Sequence, residues 1–89
     1  MRVSETVIYR CVAGEHILVP IGSSAIDTNG LVVLNEVGAE VWNLLAAEKT
    51  LDEIVAMIAE SYDAEPDIIR KDVQELLQKL IKLGFVLEE

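Results

Sequence analysis

The two side chains with the greatest chemical reach here are Cys11 and His16, the single cysteine and the single histidine of the chain. A thiolate nucleophile needs a base beside it and a third group that orients the base. Cys11 and His16 stand on either side of Ala13-Gly14-Glu15, a turn sequence between two β-rich runs, so a contact across a hairpin is open to them. Nothing in the spacing orients the imidazole, and a strand thiol is the simpler reading. Zinc takes about four Cys or His ligands, or three and a water, which is more than this chain owns. The glycines, Gly14, Gly22, Gly30, Gly38 and Gly84, lie too far apart to cradle a phosphate, and each is explained as a turn, a cap or a close contact. No catalytic, metal-binding or cofactor-binding residue is expected, and no cofactor.

The carboxylates are numerous but dispersed. Glu36 and Glu40 form an i, i+4 pair near a helix start, and Asp52-Glu53 decorate another, positions that suit a helix N-terminus better than acid/base catalysis. With 16 acidic against 7 basic residues the formal net charge is −9. A protein that neutralises phosphates needs a basic face, so both nucleic acid and an anionic membrane are disfavoured as ligands. Four of the seven basic residues, Arg70, Lys71, Lys79 and Lys82, fall in the last helical segment, interleaved with Asp67, Asp72 and Glu75. In a DNA-reading domain that segment would be basic throughout; Asp72 and Glu75 interrupt it. Two readings stay open: an ordinary solvated face, or a mixed-charge rim beside an apolar groove that suits a peptide with apolar anchors and charges.

The elements that would position these residues follow from periodicity. A chain of 89 residues makes one small domain, residues 1–89, with an ordered core expected over about 6–87. Hydrophobic residues make up 52% and mean hydropathy is +0.36, an excess that belongs either to a well-filled core or to surface reserved for a partner. No apolar run reaches the roughly 18 residues of a membrane span, and no signal peptide opens the chain. A lone cysteine fits a reducing, cytoplasmic setting. Met1 to Glu5 is short and polar and is expected to fray.

Thr6–Val12 and His16–Ile21 read as a β-hairpin, with Pro20 on an edge or near a strand end. Gly22-Ser23-Ser24 is a loop, Ala25–Thr28 a short extended piece, and Asn29-Gly30 a two-residue turn. Leu31-Val32-Val33-Leu34 follows, an unbroken apolar run. Such a strand is either buried on both faces or has an edge left for another chain.

From Asn35 the period changes to about 3.6. Asn35 is a good N-cap, and Val37, Val41, Leu44 and Leu45 share a face. Gly38 in the first turn costs roughly 1 kcal/mol against alanine, so a close backbone contact is expected there. Thr50 and Glu53 form a capping box for a second helix whose inner face is Ile54, Val55, Ile58, Ala59 and Tyr62. Trp42 and Tyr62 are expected in the core or at its rim. Pro66 opens a third helix with a stripe of Ile69, Val73, Leu76, Leu80 and Leu83; Gly84 ends it and Phe85-Val86-Leu87 is extended. The fold class is α+β: winged helix-turn-helix-like, with three N-terminal antiparallel strands, three helices and a short C-terminal strand.

These residues also carry a family likeness. Leu34-Asn35, Gly38, Val41-Trp42 and Leu45 make an LNxxGxxVWxxL pattern. Thr50, Glu53-Ile54-Val55 and Tyr62 follow. Asp72-Val73, Leu76-Leu77, Leu80 and Gly84-Phe85 then make a DVxxLLxxLxxxGF pattern. In this order and spacing the chain resembles the PqqD-like family, the peptide-recognition domains of ribosomal peptide natural-product pathways (RiPP recognition elements), over Val7 to Leu87. The resemblance implies a winged-helix-like domain with a non-catalytic role. Such a domain holds the leader segment of a precursor peptide and presents the rest to a modifying enzyme. In the founding member that enzyme is a radical S-adenosylmethionine protein that crosslinks a glutamate to a tyrosine; relatives serve lasso-peptide proteases and cyclodehydratases. In the family the leader adds as an antiparallel strand on the third strand, beside the third helix. Carried over, this places Leu31, Val32, Val33 and Leu34 on the receiving strand. Asp72 matches an acidic position that faces the leader, with Leu76 and Lys79 extending the groove. Lasso-type members carry aromatic residues where Leu31 and Val32 stand, so another precursor class is favoured.

The expected partners are therefore a precursor leader peptide and a modifying enzyme such as a radical S-adenosylmethionine protein. A second copy joined by strand pairing or swapping is a further candidate. The alternatives are a winged-helix transcription regulator and a structural subunit that pairs through its strand edge.

Overall fold

The computed structural model describes residues 1–21 and 31–88. In chain order these form β1 (Arg2–Val3), β2 (Val7–Val12), β3 (Glu15–Pro20), β4 (Val32–Leu34), α1 (Glu36–Ala46), α2 (Leu51–Tyr62), α3 (Pro66–Lys82) and β5 (Val86–Leu87). The class is α+β, as the periodicity predicts. The expected Gly22-Ser23-Ser24 loop, the Ala25–Thr28 piece and the Asn29-Gly30 turn lie outside the described residues.

β2 and β3 form the hairpin, with Val12 paired to Glu15 and a two-residue turn at Ala13-Gly14. Both turn residues have positive φ, 51° and 82°, the backbone that matches the twist of the flanking strands. β4 adds antiparallel to β3, giving the order β2-β3-β4 with Leu18 opposite Val32 and His16 opposite Leu34. Pro20 closes the central strand beyond the reach of β4, where a missing donor breaks no rung on that side. Alternation turns Val7, Leu18 and Leu34 inward, and all three are buried.

The three helices cover that inner face. Asn35 caps α1 by accepting from Gly38 N at 2.7 Å. The contact expected at Gly38 is present, for an added Cβ would sit 3.4 Å from the Leu34 Cβ. Thr50 and Glu53 close a capping box on α2, with bonds of 2.9 and 3.2 Å. The hydrogen bond from the Thr50 backbone, then that from its hydroxyl, holds the Glu53 carboxyl below its ordinary range. Val41, Trp42 and Leu45 of α1 meet Ile54, Val55 and Ile58 of α2 in one core.

Three expectations change. Tyr62 is 38% exposed and stands at the core's rim, one of the two places expected for it, and does not belong to the buried face of α2, whose last residue it is. On α3 the buried stripe is Ile69, Val73, Leu77 and Leu80; Leu76 is half-buried and Leu83 exposed. The spacing 4, 4, 3 keeps a 17-residue helix on one line, whereas Leu76 falls on its flank. Leu83 is left outside because α3 ends at Lys82. Gly84, with φ 78°, reverses the chain: Phe85 N donates to Leu80 O at 2.9 Å and Gly84 N to Ile81 O at 3.0 Å, which delivers Phe85 to the core. The third change is at the N-terminus. Met1 to Glu5 does not fray: β1 pairs antiparallel with β5, and Ser4, buried, donates its N–H to Phe85 O at 2.9 Å.

Candidate functional site

The short β4 is bonded to β3 along one side only, and among the described residues no strand pairs with its other edge. An unpaired edge offers backbone N–H and C=O groups to an incoming chain. Next to that edge lies a cavity of about 330 Å³ between β4, the start of α1 and one flank of α3. Val32, Val33 and Leu34 line it from the strand, Asn35, Val37, Gly38 and Val41 from α1, and Ile69, Asp72, Val73, Leu76 and Lys79 from α3.

Each contribution follows from local sequence. The Asn35 cap turns the chain directly from β4 into α1, so strand and helix start share one wall. Gly38, without a side chain, lets Leu34 lie against the helix backbone. On α3, Ile69, Asp72, Val73 and Leu76 recur at three and four residues and so share the flank that faces β4. The floor is therefore aliphatic and the rim charged. Asp72 and Lys79 are exposed at that rim, two helical turns or about 10 Å apart along the axis. Neither is ion-paired among the described residues, whereas Arg70 reaches away to Asp52 at 2.7 Å.

Of the seven residues expected at the site, the structure brings Val32, Val33, Leu34, Asp72, Leu76 and Lys79 into this one groove. Leu31 precedes β4, is 54% exposed and does not line the cavity. Sequence reasoning missed Val37, Val41, Ile69 and Val73 as lining residues, having read them only as apolar helix faces, and Asn35 and Gly38, having read them as a cap and a close contact. The signal was available: Ile69 and Val73 lie three residues before Asp72 and Leu76, on the same helical flank. Such an arrangement can bind an extended segment by backbone hydrogen bonds, bury alternate apolar side chains and read charge at two points.

Elsewhere, Cys11 is exposed and stands opposite His16 in the hairpin register. The imidazole is engaged otherwise: His16 Nδ1 and the Tyr9 hydroxyl are hydrogen-bonded at 2.6 Å, with the rings stacked at 6.0 Å between centroids. A second cavity, of about 300 Å³, lies under the turn between α1 and α2, lined by Met1, Leu45, Lys49 and Leu77 among others, away from the edge of β4. No helix among the described residues is long and apolar enough to cross a membrane.

The family of coenzyme PQQ synthesis protein D (PqqD) matches residues 15–86 of the chain. None of the curated proteins matches it. Among solved structures, TbiB1 in complex with the TbiA(beta) leader peptide is similar at a TM-score of 0.84 and 22% identity, over 100% of this chain and 98% of that one. Lasso peptide synthetase B1 complexed with the leader peptide is similar at 0.82 and 16% identity, over 98% and 96%. The PqqD truncation of Methylobacterium extorquens PqqCD, a stand-alone RiPP recognition element, is similar at 0.76 and 24% identity, over 99% and 87%. At these identities the likenesses establish a shared fold.

Proposed function

The chain belongs to the coenzyme PQQ synthesis protein D family, and on that premise we propose that it is a non-catalytic adaptor that binds the leader segment of a ribosomally made precursor peptide. The observation that carries this reading is the edge of β4, unpaired among the described residues, opening onto an aliphatic groove shared with α3. Two of the similar structures hold a leader peptide, and the third is called a RiPP recognition element. In this chain the leader adds as an antiparallel strand on β4. Backbone bonds to those of Val32, Val33 and Leu34 whose N–H and C=O groups face away from β3 supply affinity that is indifferent to sequence. Leu76 and the aliphatic floor take alternate apolar side chains, while Asp72 and Lys79 select a basic and an acidic neighbour; Leu31 extends the contact at the start of the strand. The bound precursor is then offered to a separate modifying enzyme, a radical S-adenosylmethionine protein in the founding case.

An isotope-edited NMR titration of the labelled chain with its precursor peptide tests the reading. The expected result is shifts concentrated in Leu31–Leu34 and Asp72–Lys79. Saturating peptide that leaves both segments unmoved would sink it.

A further inference from the structure

The outer face of the β2–β3–β4 sheet breaks the usual rule for a sheet with one face on a core, which alternates apolar-in with polar-out. Here the outward set is mostly apolar as well. Ile8, Val12 and Val33 project away from the helices at 37%, 54% and 59% exposure, around the half-buried Ile17 and Val19. Charge is distributed just as unevenly. The chain as a whole carries −9, yet the hairpin from Val7 to Pro20 has one arginine and one glutamate. Both of these, Arg10 and Glu15, alternate onto the outer face, both are exposed, and neither has a charged partner among the described residues.

We propose that this outer sheet face is a self-association surface, occupied by the same face of a second copy across a two-fold axis. Charge selects this occupant and this face. Most of the acidic residues lie on the helices and the C-terminal end, so two copies that meet there repel; the sheet face is neutral and is where they approach at least cost. A two-fold contact also needs a self-complementary patch. Arg10 lies directly across from Ile17 in the ladder and Glu15 lies two residues before it on the same strand, so the pair flanks Ile17 from two directions. An axis through Ile17 that bisects them sets Ile17 against the partner's Ile17. It also brings Arg10 over the partner's Glu15, twice per dimer. The two sheets then cross steeply, a recurrent way for sheets to pack. The edge of β4 points sideways out of this contact and stays open.

Size decides how tight the contact is. Two strands of six residues and one of three, about 4.8 Å apart, give a footprint no larger than roughly 14 by 20 Å. That is well below the roughly 800 Å² per partner of a standard interface. The dimer is therefore weak and reversible, visible as concentration rises.

Sedimentation equilibrium of the full chain, from about ten micromolar to about one millimolar, tests this. The expected result is an average mass that climbs from monomer toward dimer. Ile17→Lys should weaken association at least tenfold while leaving circular dichroism unchanged; Ile8→Lys serves if that variant does not fold. Arg10→Glu and Glu15→Arg should each weaken association several-fold when alone. Mixed in equal amounts the R10E and E15R chains should recover it, because each then meets an opposite charge. A monomer throughout the range overturns the proposal. So does a dimer insensitive to both lysine variants, which would put the contact on the β4 edge or the helices, and so does a failure to recover on mixing.

Discussion

Gly38 shows how a single position can serve both packing and site. Helix propensity alone favours alanine there by about 1 kcal/mol. An added Cβ, however, would lie 3.2 Å from Asn35 Oδ1 and 3.4 Å from the Leu34 Cβ, so the capping side chain must retreat and loosen its 2.7 Å bond to Gly38 N. A helix cap is itself worth about 1 kcal/mol. The two effects offset, and Gly38→Ala should be close to neutral in urea denaturation. Gly38→Val forces branched carbons against Leu34 and should cost about 1–3 kcal/mol at an unchanged m-value. The rim charges behave differently. Asp72 and Lys79 are exposed and, among the described residues, unpaired, so Asp72→Asn and Lys79→Gln should move stability by no more than about 0.5 kcal/mol. If the groove binds the leader as proposed, calorimetric titration with the precursor should show both weakening it. Loss of fold and loss of binding are thereby separated at the level of single side chains.

At the scale of elements, what was legible in the sequence was whatever its own neighbours determine. The turn after Val12, the Asn35 cap, the Thr50–Glu53 box and the Gly84 stop all involve residues within a few positions of one another, and each was readable, although Glu15, expected in that turn, belongs to β3. The pairing of β1 with β5 was not, because Arg2 and Leu87 are partners across almost the whole chain and neither segment has a periodic pattern. The groove was legible on its α3 side and half-hidden on its α1 side, since Val37 and Val41 look the same in sequence whether they line a cavity or fill a core. The capping box makes a pH prediction. Glu53 has a lowered carboxyl pKa in the folded chain, so its stabilising effect is full above its ordinary value of 4.5 and disappears as pH falls through the lowered one. Glu53→Gln should therefore melt lower than the parent near neutrality and lose less on acidification, with the gap closing at the acid end. Strand β4 makes a second prediction. Neighbouring N–H groups along a strand point to opposite sides, so of Val32 and Val33 one donates toward β3 and the other toward the open edge. Of Val32→Pro and Val33→Pro, one should cost stability and the other should spare folding while weakening peptide binding. Two prolines with the same ratio of effects would mean that the edge is not used.

For the whole molecule the governing quantity is charge. A net −9 on a chain with a radius of gyration of 12.8 Å means that folding crowds like charges together, most of them on helix exteriors where few are paired. The described ion pair between Arg70 and Asp52 is exposed on both sides and contributes little. Repulsion among the remaining carboxylates therefore outweighs attraction, and the unfolded chain relieves it by spreading out. Added salt shortens the screening length from about 30 Å at 0.01 M to about 10 Å at 0.1 M, which is less than the width of the domain. The melting temperature should consequently rise with sodium chloride over that range, whereas a protein held by surface ion pairs would show the opposite slope. The same field sets the choice of ligand: fluorescence anisotropy with labelled duplex DNA at low salt, the condition that most favours phosphate contacts, should show no binding at micromolar protein. Saturable binding there would mean that Arg70, Lys71, Lys79 and Lys82 on α3 act as a basic face despite Asp72 and Glu75, and it would count against the peptide groove as the use of that helix.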